Sequence, residues 1–262
     1  MAGALSPILT EMQKEIYSRN ILVPEIGEKG QARLLSGRVL VIGLGGLGSP
    51  ALYYLAAAGV GEIGILDGDT VAFSNLQRQI LHGRPDVGDS KVESAVRAVS
   101  RLNPDVVLRS LDVMLDSDNA LDIIAPFDFV IEATDNFESK FLVNDTCVRL
   151  GRPFSHAGVL GAFGQAMTIL PCRGPCFRCV FEDVPSPGTY DTSESTGVLG
   201  CAAGIMGTIQ ATEAIKYLLG IDELLVGRLL TFDAFKMSFR EIRLPIDKRC
   251  GICGTLPHGK AE

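Results

Sequence analysis

The segment Val39 to Val60, VLVIGLGGLGSPALYYLAAAGV, most constrains the fold, because an apolar strand runs through a glycine turn directly into a helix. Gly43, Gly45 and Gly48 fit the pattern G-x-G-x-x-G in the strand–turn–helix setting that the pattern requires. Glycine there permits a tight turn, lets backbone N–H groups approach a phosphate, and leaves a helix N-terminus that favours negative charge. Nineteen residues beyond Gly48, Asp67 closes a second strand, where a carboxylate can accept hydrogen bonds from ribose hydroxyls. The pair implies a nucleotide without saying which one.

Beyond this point strand and helix signals keep alternating. RVLVIGL (38–44), EIGILDG (62–68), DVVLRSLDV (105–113) and FDFVIEAT (127–134) read as strands. Helices are expected over 46–58, over 89–104 with Asp89 as N-cap, over 117–125 and over 136–150. Such alternation predicts parallel strands with helices on both faces. Two helices should precede it, at about 10–20 and 28–35. After Gly151 the pattern changes: PFSHAGV and GAFGQAMTIL sit as neighbouring strands would, and RLLTFDAF and KMSFREIRL add two more beyond a helix at 199–219. The Pro-, Gly-, Ser- and Thr-rich stretch Glu182 to Gly197 reads as a long mobile loop, and the C-terminal GTLPHGKAE as frayed. The expected fold is therefore an α/β, doubly wound, Rossmann-like, mostly parallel sheet with further strands beside it, and the family resemblance given below implies that those strands form an antiparallel half. One domain is expected over 1–262, made of a helical segment at about 10–35, a nucleotide-binding half at 36–150 and a second half at 151–254.

Bulk properties exclude other classes. With 262 residues, 47% hydrophobic content and a net charge of −7, the chain can bury one large core and is a poor partner for nucleic acid or an anionic membrane. No apolar run is long enough for a membrane span and the N-terminus lacks a signal-peptide core, so the chain reads as cytoplasmic.

The stretch DGDTVAFSNLQRQ places Asp69, Ser74, Asn75, Leu76, Gln77 and Arg78 soon after Asp67, and Lys91 follows in GDSK. Cations beside a nucleotide suit a triphosphate, although Arg78 and Lys91 are equally compatible with solvated surface charges. Asp135 ends a strand at the edge where doubly wound sheets bind ligands; it suits Mg²⁺, or else it or Thr134 caps the next helix. Seven cysteines are too few for a disulfide scaffold, but Cys176 and Cys179 form one CxxC pair and Cys250 and Cys253 another. Four thiolates suit a closed, structural Zn²⁺ site, with redox-active CxxC pairs as the rival. His82, His156 and His258 have no metal spacing and read as ordinary residues.

From Glu15 to Gly254 the chain closely resembles the MoeB/ThiF/HesA family of adenylyltransferases, related to ubiquitin-activating enzymes. YSRN, GLGGLG, DGDTVAFSNLQRQ, GDSKVESA, ATDN and the paired CxxC carry the resemblance. It implies ATP-dependent adenylation of the C-terminal glycine carboxylate of a small ubiquitin-like sulfur-carrier protein, with pyrophosphate released, as a step toward molybdopterin, thiamine or a related product. It implies that Gly46, Asp67, Ser74 to Arg78, Lys91 and Asp135 with Asn136 bind ATP, that Asp135 holds Mg²⁺, and that the four cysteines hold Zn²⁺. Arg19 matches an arginine that reaches the triphosphate from the other subunit of a homodimer. Asn20 stands where the family has Gln. Ser193 falls at the family's loop cysteine, and Cys201 is expected inside the following helix, buried and inert. The chemistry is then expected to stop at the acyl-adenylate, with sulfur brought by a separate persulfide donor. An NAD-dependent oxidoreductase and a non-catalytic zinc-stabilised scaffold for a ubiquitin-like protein are the competing classes.

Overall fold

The structure is a computed structural model that describes residues 8–181, 183–184, 191–254 and 256. His258, nearly all of the segment expected to fray and part of the expected loop lie outside the described residues.

The chain opens with α1 (Glu11–Ile16), α2 (Ser18–Ile21) and α3 (Gly27–Ser36). Thr10 starts the first of these with a reciprocal cap shared with Gln13. The parallel half follows as β1 (Arg38–Ile42), α4 (Gly48–Ala58), β2 (Glu62–Leu66), α5 (Lys91–Leu102), β3 (Val107–Leu111), α6 (Ala120–Ile124), β4 (Phe129–Glu132) and α7 (Phe137–Leu150). The second half is β5 (Phe154–Leu160), β6 (Phe163–Ile169), a short α8 (Ser193–Thr196), the long α9 (Gly200–Leu219), β7 (Arg228–Asp233) and β8 (Ser238–Arg243). All eight strands form one sheet in the order β3-β2-β1-β4-β5-β6-β7-β8. Pairings are parallel from β3 to β5, as the strand–helix alternation predicts, and antiparallel from β5 to β8, as the resemblance implies.

Alternate residues of each central strand feed two cores. Val39, Val41, Ile63, Ile65, Phe129 and Ile131 pack with α4, α5 and α9 on one face. Leu40, Ile42, Leu66, Val130, Phe154 and Met167 pack with α6, α7 and the cysteine region on the other. Strands covered on both faces must be apolar throughout, which is why they read as continuous hydrophobic runs.

Three local expectations are corrected. The N-cap of α5 is Ser90, whose hydroxyl accepts the N–H groups of Val92 and Glu93, while Asp89 pairs with Arg97. The α6 helix starts at Ala120 and not at Ser117, because the Asp116 carboxylate accepts the N–H groups of Asp118 and Asn119 in a turn that competes with helix. Within the stretch read as loop, residues 193–196 are a helical turn.

The glycine turn is enforced by contact. A Cβ at Gly48 would lie 1.9 Å from the Gly43 carbonyl oxygen, and Gly43 itself has φ +92°. Gly48→Ala therefore forces the start of α4 off the end of β1. We expect a loss of about 1–3 kcal/mol, read as a lower Tm in thermal denaturation; an unchanged Tm would show that the turn relaxes freely.

Candidate active site and cysteine cluster

The strand order reverses between β1 and β4, and a cleft of about 660 Å³ opens there at the carboxyl ends of the strands. Gly43, Gly45, Gly46, Asp67, Asp69, Arg78, Lys91, Asp135 and Asn136 all line it. In α4 the Ser49 N–H is taken by the Gly45 carbonyl and Pro50 has none, whereas the N–H groups of Gly45, Gly46, Leu47 and Gly48 make no hydrogen bond among the described residues and stay available to an anion. Gly46 is closed in by Ala203 and the Arg78 side chain, 3.2 and 3.3 Å from where a Cβ would stand.

Asp67 is nearly buried. One carboxylate oxygen accepts the Leu44 N–H at 2.7 Å and the other the Asp69 N–H at 2.9 Å. These bonds fix the carboxylate's orientation and leave lone pairs for hydroxyl donors. The Lys91 Nζ is 2.8 Å from Asp69 and 3.6 Å from Asp67 and is itself buried, so it is a placed cation and not a solvated one. Arg78 is half-buried and donates to the Ser74 carbonyl at 3.0 Å.

Ser74, Asn75, Leu76 and Gln77 are not among the residues lining the cleft, and Gly48 lies beneath it. The Asn75 side chain accepts the Ala72 N–H at 3.0 Å and so closes the turn that presents Arg78. Gln77 donates to the Val198 carbonyl. Gln79 lines the cleft instead: it is buried, and its Oε1 is without a hydrogen-bond partner among the described residues. Sequence reasoning passed it over, although the LQRQ run contained it.

At the end of β4 the two readings of Asp135 separate. Asn136 caps α7, its Oδ1 accepting the Ser139 N–H at 2.8 Å. Asp135 is exposed at the cleft and makes no hydrogen bond or ion pair among the described residues. A free carboxylate facing a phosphate-sized cradle has the chemistry of a Mg²⁺ ligand.

Arg19 is exposed on α2 and lies away from the cleft lining of its own chain. Asn20 donates to Gln31 at 3.3 Å, and Gln31 donates to the Ala58 carbonyl at 2.8 Å, so this side chain ties α2 to the end of α4. Cys201 is corrected. It lies in the first turn of α9 as expected, yet it is exposed, because Ala202, Ala203 and Met206 carry the buried face. Buried His82 bridges Ser94 and the Leu44 carbonyl, and buried His156 contacts Glu132. Burial lowers the pKa of both.

The four sulfur atoms of Cys176, Cys179, Cys250 and Cys253 lie within 4.8 Å of one another. Cys176 and Cys250 are 3.6 Å apart and Cys179 and Cys253 3.3 Å. Tetrahedral Zn–S bonds of about 2.3 Å require sulfurs about 3.8 Å apart, so the set fits a closed zinc site with small adjustment. The first pair is anchored to α7: the Asn144 side chain accepts the Phe177 N–H at 2.8 Å, and Arg178 pairs with Asp145.

A doubly wound sheet with a glycine-lined, cation-bearing cleft at its switch point defines a nucleotide-binding class of protein, here with a separate four-cysteine cluster that could hold a metal ion. The ThiF family model matches residues 17–253, and the chain belongs to the ThiF family. It is 47% identical over 246 residues to the SAMP-activating enzyme E1 of Haloferax volcanii, covering 94% of this chain and 91% of that one. It is 41% identical over 253 residues to the sulfur carrier protein adenylyltransferase of Thermus thermophilus, covering 95% and 93%. The mouse adenylyltransferase and sulfurtransferase MOCS3 is 44% identical, but the match covers 92% of this chain and only 53% of that protein. The crystal structure of Escherichia coli MccB with ATP shares the fold at a TM-score of 0.81 and 22% identity, covering 94% of this chain and 77% of that one. No helix among the described residues is long and apolar enough to cross a membrane.

We expect about one Zn²⁺ per chain in freshly purified protein, and Cys176→Ser should lower the Tm and the metal content together, since binding free energy at such a site is folding free energy. Metal analysis finding no zinc, with an unchanged Tm in the variant, would refute the assignment.

Proposed function

We propose that the chain adenylates the C-terminal glycine carboxylate of a small ubiquitin-like sulfur-carrier protein in the cytoplasm, consuming ATP with Mg²⁺ and releasing pyrophosphate. The observation that carries this reading is the near-full-length similarity to two relatives named for activating such proteins, at 47% and 41% identity. Neither the oxidoreductase reading nor the scaffold reading gains support from any relative named above.

The cleft suits this chemistry. A carboxylate and a triphosphate repel each other, so the barrier is largely electrostatic, and fixed cations lower it. Lys91 and Arg78 supply that charge, the turn at 43–48 receives phosphate oxygens, and Asp67 orients the ribose. Asp135 holds Mg²⁺, which when bound offsets charge on the phosphates. The nucleophile is already ionised, so no general base is needed. In this reading residues 36–150 bind the nucleotide and 151–254 bind the carrier. The cleft runs onto the antiparallel half past Gly158, Gln165 and Thr231, a route for the carrier's C-terminal tail. Exposed Phe163, Phe235, Met237 and Phe239 lie on that half, where an apolar surface suits a protein partner. Sulfur comes from a separate persulfide donor: its terminal sulfur displaces AMP from the acyl-adenylate, and a second thiol of the donor then cleaves the acyl disulfide, leaving the carrier thiocarboxylate and an oxidised donor.

Pyrophosphate exchange into ATP, dependent on an added carrier, tests the reading. Arg78→Ala and Lys91→Ala should each cost about 2–4 kcal/mol of transition-state stabilisation, seen as lower kcat/KM. Near-normal turnover in both would overturn the assignment. Non-reducing intact-mass analysis with a persulfide donor should find thiocarboxylated carrier and no adduct; an adduct at exposed Cys201 would put a covalent step in the reaction.

Arg19 is exposed and is not among the residues lining its own cleft, which fits a site completed by a second subunit of a homodimer. Mixing Arg19→Ala with Asp135→Ala chains should then restore part of the activity, because one hybrid site is intact. Absence of recovery, with subunit exchange verified, would remove Arg19 from the partner's site.

A further inference from the structure

Beneath the loop that carries Asp135 lies a cluster of buried charge that the proposed chemistry does not use. Glu132, the last residue of β4, is fully enclosed. Burial pushes its pKa up, but the Lys140 charge and hydrogen bonds from His156 and Thr134 outweigh this and hold it at about 2. The carboxylate is therefore ionised. Its Oε1 accepts both the N–H and the hydroxyl of Thr134, and its Oε2 lies 2.7 Å from the His156 Nδ1. An ionised carboxylate only accepts, so His156 carries its proton on Nδ1. The Lys140 Nζ is 3.0 and 3.2 Å from the two carboxylate oxygens, 2.7 Å from the Thr134 carbonyl and 3.0 Å from the Ala157 carbonyl.

Those two carbonyls matter for their neighbours. Thr134 precedes Asp135, and Ala157 precedes Gly158, a residue of the opposite cleft wall. The ammonium group thus spans the end of β4 and the middle of β5 at the level of the cleft. His156 rests against Phe177 with ring centroids 4.6 Å apart, and Phe177 sits between Cys176 and Cys179. Burying an ion pair is a poor way to gain stability, since apolar side chains of equal volume do as well. What the pair supplies is direction: one ammonium group fixes two carbonyls from different strands.

We propose that Lys140, held by Glu132, is a positioning residue for Asp135, clamping the β4 end to the β5 wall so that the free carboxylate meets Mg²⁺ in a fixed place. The inference rests on the reading of Asp135 as the Mg²⁺ ligand. Outer-shell partners of this kind typically govern metal affinity or activity by about 10–100-fold.

The test is the double variant Glu132→Gln/Lys140→Met, which leaves no unpaired buried charge. Its Tm should exceed that of Lys140→Met alone. The half-saturating Mg²⁺ concentration in carrier-dependent pyrophosphate exchange should rise at least about tenfold, while half-saturation by carrier moves less than about twofold. Amide exchange over 133–136 and 157–158 should quicken, with β1 and α5 unaffected. A folded double variant with wild-type Mg²⁺ dependence and wild-type protection at those peptides would overturn the clamp and leave a stability element only. Should the double variant not fold, Lys140→Arg keeps the charge opposite Glu132 but cannot set one ammonium group between the Thr134 and Ala157 carbonyls, and an unchanged Mg²⁺ dependence with unchanged protection there overturns the clamp equally. If the wild-type protein itself shows no carrier-dependent exchange, the adenylation reading falls, and the amide-exchange comparison still judges the clamp.

Discussion

The contact of Gly48 with the Gly43 carbonyl oxygen is the constraint on which the rest of the site depends. At 1.9 Å from the oxygen, a Cβ at Gly48 has no room, so α4 starts directly on the end of β1. The open N–H groups of the turn at 45–48 are thereby delivered to the switch point, at the carboxyl ends of β1 and β4. Asp67 is then locked to the same turn through the Leu44 N–H. A shift of the helix by one residue would displace the phosphate cradle and the ribose-facing carboxylate together. Specificity for a nucleotide is in this sense a packing property of backbone against backbone.

The second organising element is α9, which crosses the boundary between the parallel and antiparallel halves. Gln210 donates to the Glu132 and Ser155 carbonyls, and Glu213 accepts from the Thr168 hydroxyl and the Leu225 N–H. Four segments of the sheet region are therefore joined by two buried polar side chains. A Cβ at Gly207 would lie 2.1 Å from the Leu47 carbonyl oxygen, so α9 also presses on the turn that opens α4. The cleft wall and the phosphate cradle share one support.

Much of this was legible from residue pattern. Strands enclosed on both faces leave long apolar runs, and the two-residue alternation of β1 and β4 between cores is invisible only because both faces are apolar. The glycine turn, Asp67, Lys91, Asp135 and the four cysteines were readable because each chemistry demands a residue type at a fixed place. What escaped detection depends on burial and on distant chain. Gln79, Lys140 and Glu132 look like ordinary polar residues in the sequence; only the fold brings Glu132 to His156, 24 positions on, and Lys140 to the Ala157 carbonyl, 17 positions on. Cys201 was misjudged because a helix address says nothing about which face a residue occupies. The short start of α6 was missed because an Asp side chain can take the place of a helical carbonyl.

The cysteine cluster has a consequence for biosynthesis. Cys179 and Cys250 are separated by 70 residues, which include α9, β7 and β8. Bringing the two pairs together closes a long loop late in the chain, at an entropic cost that grows only slowly with its length. The parallel half depends on that same loop: α9, which lies inside it, covers the face formed by Val39, Val41, Phe129 and Ile131. Newly made protein should thus pass through a stage in which β1 to β5 are formed but one face of them stays bare until residues 200–219 have been made and docked. The two cysteine pairs can meet only after that helix and the last two strands of the sheet.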